Sequence, residues 1–165
     1  MTNATHWIRS LQLAAHPEGG FYREVYRCAE SLPARTLPAR YAGPRAISTS
    51  IYFLLRSRDV SRFHRLASDE LWHYHAGSPL TVHAIDPSGR YTAHHLGIDR
   101  RRKQTPQVII PRNHWFAATV DLPRTYTLAG CTVAPGFDFA DFETATPSAL
   151  LALCPNKAAL IRRLT

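Results

Sequence analysis

Apolar residues recur at helical spacing over residues 5–14, where Trp7, Ile8 and Leu11 share a face with Ala15, and Thr5 stands where an N-cap would. Pro17 and the Gly19-Gly20 pair end that pattern. From there the period shortens to two. Residues 21–27 alternate Phe21, Arg23 and Val25 against Tyr22, Glu24 and Tyr26. Further short strand-like runs follow at 47–55, 62–64, 70–75, 80–85, 90–96, 107–110, 115–120, 126–128 and 131–133. Turn formers punctuate nearly every gap, as in Asp86-Pro87-Ser88-Gly89. Residues 31–45 hold Pro33, Pro38, Gly43 and Pro44 and read as a loop or a lid. The closing PSALLALCPNKAALIRRLT returns to helical spacing, with Ser148 and Asn156 as caps of two short helices divided by Pro155. Many short strands separated by turns predict an all-β sandwich or barrel in place of a βαβ fold.

The densest chemistry lies in RFHRLASDELWHYHAG, residues 62–77, which places His64, Glu70, His73 and His75 between two strand candidates. Alternation puts Glu70, Trp72 and Tyr74 on one face of their strand and Leu71, His73 and His75 on the other. Both sets can line one cavity only if the strand carries a bulge. His16 and Glu18 precede the double glycine, in a segment that is either a simple turn or a loop covering a barrel mouth.

Composition narrows the classes. A chain of 165 residues with 45% hydrophobic and 19% charged content suits one globular domain, 1–165, with a real core. No apolar run approaches a membrane span, and the N-terminus lacks the build of a signal peptide. Cys28, Cys131 and Cys154 are odd in number and without ligand-like spacing, which predicts free thiols and a cytoplasmic location. The net charge is +8, but 18 of the 20 basic residues are arginines scattered along the chain. The one dense run, Arg100 to Lys103, has no interleaved aromatics and reads as a solvated loop; neither a nucleic-acid nor a membrane partner is expected.

Several motifs together resemble the cupin superfamily. HPEGGFYRE, SIYFLL, SDELWHYHAG, IIPRNHWFAA and GCTVAPGFDFADFE occur in order and look like the cupin branch long listed as a domain of unknown function. The resemblance implies a double-stranded β-helix, or jelly-roll, barrel with the short N- and C-terminal helices packed outside it, and commonly a homodimer. Residues 21–27 are the candidate strand for exchange between subunits. The alignment to the family points Glu70, and with it Trp72 and Tyr74, into the barrel and leaves His73 and His75 to a subunit interface or an outer layer. At the family's four metal-ligand positions stand Arg62, His64, Glu70 and Phe116. The resemblance therefore implies no resident metal or other cofactor, with a divalent ion at His64 and Glu70 as the alternative. His114 can stand in for Phe116 only if its strand bends.

Two functions follow from these residues. The first is acid–base isomerisation or epimerisation of a small polar or nucleotide-linked, sugar-like substrate, as in the metal-free dTDP-sugar epimerases of this fold. His64 would serve as base with a pKa near neutrality, oriented by Glu70 or by Asp138 or Asp141, and Tyr52 or Tyr74 would donate a proton. Arg62 and Arg65 would hold an anionic group. The second is a non-catalytic sensor or carrier barrel in which Tyr52, Trp72, Tyr74 and Phe116 stack a flat ligand.

Overall fold

The computed structural model describes residues 3–165. The elements run α1 (Ala4–Ser10), β1 (Ala14–Ala15), β2 (Phe21–Arg27), β3 (Ser31–Leu32), β4 (Arg45–Ala46), β5 (Thr49–Arg56) and β6 (Val60–Leu66). They continue with β7 (Asp69–Gly77), β8 (Leu80–Ile85), β9 (Tyr91–Leu96), β10 (Gln107–Ile110), β11 (Trp115–Val120) and β12 (Tyr126–Ala134). β13 (Phe142–Thr144), α2 (Pro147–Leu153) and α3 (Ala158–Leu164) close the chain. Six strands form one sheet in the order β1-β2-β5-β12-β7-β10, and five form another in the order β13-β6-β11-β8-β9. This is the jelly-roll arrangement that the strand spacing and the cupin resemblance predict.

Layering follows from which face of each strand is apolar. Between the sheets lie Phe53 and Leu55 of β5, Trp72 of β7, Val82 of β8 and Phe116 of β11, all at most 2% exposed. Each such side chain stabilises the fold by roughly 1.5–3 kcal/mol. The outer face of the five-stranded sheet carries Phe63, Ile85 and Trp115, which bury Leu150, Ile161 and Leu164 of the two C-terminal helices. Leu54 and Leu128, on the outer face of the other sheet, receive Trp7, Ile8 and Leu11 from α1 and its end. Both terminal helices therefore pack outside the barrel, as expected.

Several local expectations shift. The α1 cap is Asn3, whose Oδ1 accepts from the His6 amide at 2.9 Å, two residues ahead of where Thr5 suggests. The first C-terminal helix is capped by Thr146, with Pro147 at its first turn, in place of Ser148. Asn156 lies inside a short 3-10 turn before α3 and caps neither helix. Residues 126–134 form one continuous strand although Gly130 looks like a break. That glycine lies under His75, whose ring fills the space a side chain would need. The segment between β3 and β4 is pinned, not hinged. Arg45 binds Asp141 through two bonds of 2.7 and 2.6 Å, Arg40 donates to the Ala67 carbonyl at 2.9 Å, and the Tyr41 hydroxyl meets Ser68 at 2.8 Å. β2 pairs with β5 of its own chain, and β1 covers its other edge only opposite Phe21 and Tyr22.

Two bulges position the interior. β2 has an extra residue, Val25, between the pairs Glu24–Ile51 and Tyr26–Ser50. In β6, Arg62 and Phe63 together oppose Ala117. In a regular strand, residues three apart point to opposite faces. The bulges bring Glu24 with Arg27, and Ser61 with His64, onto the interior face.

Candidate functional site

Between the sheets, at the end bounded by β2, β6 and β13, lies a cavity of about 460 Å³. Its buried end is built on the HPEGG segment. Gly19 and Gly20 take φ of +113° and +76°, and Gly19 lies so close to β6 that a side chain there would overlap the Val60 carbonyl. The double glycine lets the loop lie against the strands, and the Arg62 amide donates to the Glu18 carbonyl at 3.0 Å. Glu18 is thereby driven into the barrel, 6% exposed.

Glu18 is the hub of the site. Its Oε1 accepts from the Ser61 hydroxyl at 2.8 Å, and its Oε2 lies 3.1 Å from His64 Nδ1. The same Nδ1 lies 2.7 Å from the Arg62 carbonyl oxygen, which can only accept. Nδ1 therefore carries the proton, and in the neutral ring Nε2 keeps the basic lone pair. The His64 ring is held by Phe116 and Phe142, with centroids at 4.1 and 5.2 Å. His16 Nδ1 accepts from the Glu18 amide at 3.2 Å, so its 3.9 Å approach to the Glu18 carboxyl is not an ion pair. Its ring meets Tyr22 edge-on at 4.5 Å.

Burial sets the protonation of this cluster. It lowers the His64 pKa to about 3 and the His16 pKa to about 4, so both rings are neutral at physiological pH. Burial, and then the nearby Glu70, push the Glu18 carboxyl well above the usual range. Burial raises Glu70 to about 7, against the opposing effect of a hydrogen bond with Cys131. Cys131 is itself pushed up by burial and by the Glu70 charge and remains a thiol. Trp72 lines the same cavity and is 1% exposed. Its indole N–H is the only buried side-chain donor or acceptor without a partner among the described residues. A buried N–H left unmatched costs on the order of 1–3 kcal/mol, which a ligand acceptor would recover.

The structure gathers His64, Glu70 and Trp72 in the cavity, in the strand parity expected for β7. Tyr74 shares that face, but its hydroxyl donates to the Gly77 carbonyl at 2.6 Å and it stands outside the cavity. Tyr52 points to the outer face, against the helix-covered cluster and edge-on to His75. Ile51 and Phe53 take the interior positions of β5 in its place. Phe116 supports the His64 ring without lining the cavity. Arg62 is solvent-exposed, and only its backbone serves the site. Arg65 pairs with Glu143 at 2.8 Å and lies over Trp115 in a separate surface groove. Asp138 reaches the cavity rim, whereas Asp141 is taken by Arg45. His73 and His75 lie outside the cavity, and His114 precedes β11 in an exposed turn.

The expected balance at His64 also differs. Glu18, not Glu70, meets its ring, burial dominates, and the group brought near neutrality is Glu70. Glu18 and His16 are the residues whose role sequence reasoning left undecided. Their signal is the double glycine beside them.

The positions that the cupin resemblance implies as metal ligands do not assemble a donor set. Arg62 faces solvent and Phe116 is a hydrocarbon ring, so of the four positions only His64, through Nε2, and Glu70 offer a donor atom. Among the described residues no three His, Cys, Asp or Glu side chains are grouped as donors to one ion. No described helix is long and apolar enough to cross a membrane.

Comparison with known proteins agrees with the architecture. A structure from Shewanella oneidensis is 41% identical over all of this chain and 98% of its own, with a TM-score of 0.89. A hypothetical protein from Leishmania major is 36% identical over 99% of both chains, also at 0.89. Oxalate decarboxylase from Bacillus subtilis shares the fold at a TM-score of 0.55 and 14% identity; the match covers 92% of this chain but only 36% of the decarboxylase. No curated protein sequence matches significantly. The Cupin_5 model, a cupin superfamily family described as DUF985, matches residues 5–145, and the chain belongs to that family.

Proposed function

We propose that this cupin binds a small polar molecule in the cavity between its sheets and moves a proton on it, as an isomerase or epimerase does, without a resident metal. The observation that carries this reading is the placement of Glu18, His64 and Glu70 in one cavity with differently displaced proton affinities. Acid and base roles in one site need groups whose environments push their pKa values apart. Glu70, near 7, is available in both protonation states at physiological pH.

In the step envisaged, the Glu70 carboxylate takes a proton from carbon beside a carbonyl. The C–H electron pair moves into the new C=C bond, and the carbonyl π pair moves onto oxygen. The enolate oxygen is met by the Trp72 N–H and by the Glu18 carboxyl proton. Return of the proton to the other face, or to the neighbouring carbon, completes epimerisation or isomerisation. Glu18 is held for this by Ser61 and by the loop clamp.

The test is exchange of substrate carbon-bound hydrogen with deuterium in D2O, followed by NMR over a panel of hydroxy- and amino-carbonyl compounds. Wild-type exchange that Glu70→Gln reduces at least a hundredfold supports the reading. Compounds that bind and raise the melting temperature but never exchange would instead identify a carrier or sensor barrel.

A further inference from the structure

The chain has a net charge of +8, yet its cavity is acidic. Among the described residues its charged lining consists of Glu18, Glu24, Glu70 and Asp138 against Arg27 alone, with the two neutral imidazoles. Arg27 is engaged at the rim. Its Nε and Nη2 donate to the two carboxylate oxygens of Glu24 at 3.0 and 2.7 Å, and Nη2 also reaches the Phe137 carbonyl at 3.2 Å. The arginines that would suit a phosphate or carboxylate, Arg62 and Arg65, lie outside.

Much of the remaining wall is aromatic, including Tyr22, Phe53, Trp72, Phe137 and Phe142. Ring faces carry negative potential and attract cations, most strongly in indole and phenol. The unpartnered Trp72 N–H adds a different demand, for an acceptor atom on the ligand.

Buried charge decides between ligand classes. An ionised carboxylate is costly inside a protein, so the two interior carboxyls tend to keep their protons. An entering ammonium group lets one of them release its proton, and the net buried charge stays the same. An entering anion would add negative charge beside two carboxyls with no free cation to meet it. A neutral molecule would hydrogen-bond to the carboxyls and stack on the rings but draw nothing from their negative potential.

From this we infer that the ligand is a small organic cation, an amine that also bears a hydrogen-bond-accepting oxygen, bound with its ammonium group served by Glu18 and Glu70 and its oxygen by the Trp72 N–H. This rests on the proposed reading of the cavity as the ligand site, and it replaces the nucleotide-linked sugar with an amino-carbonyl or amino-alcohol class.

Three probes of one shape test it: tyramine, its alcohol tyrosol and its acid 4-hydroxyphenylacetate, titrated calorimetrically into the full-length protein at pH 7. Tyramine is expected to bind at least tenfold tighter than tyrosol, with the acid weakest. Repetition in buffers of different ionisation enthalpy should show proton release on tyramine binding. Glu70→Gln should abolish the release and erase the preference for the amine, and Glu18→Gln provides a second variant should the first fail to fold. Arg65→Ala should change neither. Equal binding of all three, tighter binding of the acid, no detectable tyramine binding, or an amine preference unchanged in both glutamine variants overturns the inference. Charge preference is read from binding and the acid–base role from deuterium exchange, so either can fail while the other stands.

Discussion

Glu18 and His64 meet inside the barrel with Oε2 3.1 Å from Nδ1, although the first lies in a turn and the second in the middle of β6. Because the Arg62 carbonyl also takes Nδ1, the contact fixes the tautomer of the imidazole and not merely its position. Ring-nitrogen NMR should show His64 protonated at Nδ1 at neutral pH. Glu18→Gln should preserve that tautomer, since the Arg62 carbonyl remains. Glu18→Ala leaves the buried Ser61 hydroxyl without its acceptor and should destabilise the fold by roughly 2–3 kcal/mol in denaturant titration. A ring protonated at Nε2 would remove its basic lone pair from the cavity.

Stability should depend on pH through groups inside and outside the cavity. His64 is lowered to about 3, His16 to about 4 and His83 to about 4, burial being the first cause in each case. The unfolded chain binds protons on these imidazoles that the folded chain refuses. Their contribution is therefore complete above about pH 6.5 and is lost as pH falls toward 4 and 3. His83 lies outside the cavity, bonded to Tyr91 at 2.8 Å and Thr119 at 3.0 Å, and its share is on the order of 3 kcal/mol. Glu70 works in the opposite direction. Its raised pKa withdraws stability as pH rises from the ordinary carboxyl range through about 7. Melting temperature should fall as pH drops below 6.5, less steeply in His83→Gln and more steeply in Glu70→Gln, which lacks the opposing carboxyl.

Gly19→Ala combines a φ of +113° with an overlap against the Val60 carbonyl. The loop that carries Glu18 would have to lift from β6. A loss of at least about 2 kcal/mol, or several degrees in melting temperature, is expected, together with weaker ligand binding. Gly43→Ala is the control, since a side chain there meets only the Arg45 guanidinium at 3.5 Å. Equal melting of the two variants would show that the HPEGG clamp is not needed.

Arg62→Ala and Arg65→Ala should leave ligand affinity within about twofold of wild type. The first side chain faces solvent, and the second is shared between Glu143 and Trp115 outside the cavity. Calorimetric titration checks this, and a tenfold loss in either variant would place the ligand elsewhere than between the sheets.

Part of the site was legible before any coordinates. In β7 the alternation Glu70, Trp72, Tyr74 against Leu71, His73, His75 leaves the parity open, the cupin resemblance points Glu70 inward, and Glu70 and Trp72 do face the cavity. In β5 both alternating sets are apolar, Ile51, Phe53 and Leu55 against Tyr52 and Leu54, because α1 covers the outer face as the core covers the inner one. Parity there was undecidable from the pattern, and Tyr52 fell on the wrong side.

The local sequence by itself determined the strands, the outer helices and the cupin membership, since turn residues, period-two patterning and ordered motifs are properties of neighbouring residues. Only the tertiary structure decided which polar groups meet. Two bulges turn residues three apart to one face, and the double glycine brings Glu18 against Ser61 and His64. Proton affinity followed from the same step. Whether a carboxyl titrates near 4.5 or 7 depends on how much water the surrounding sheets exclude, and no short stretch of sequence contains that quantity.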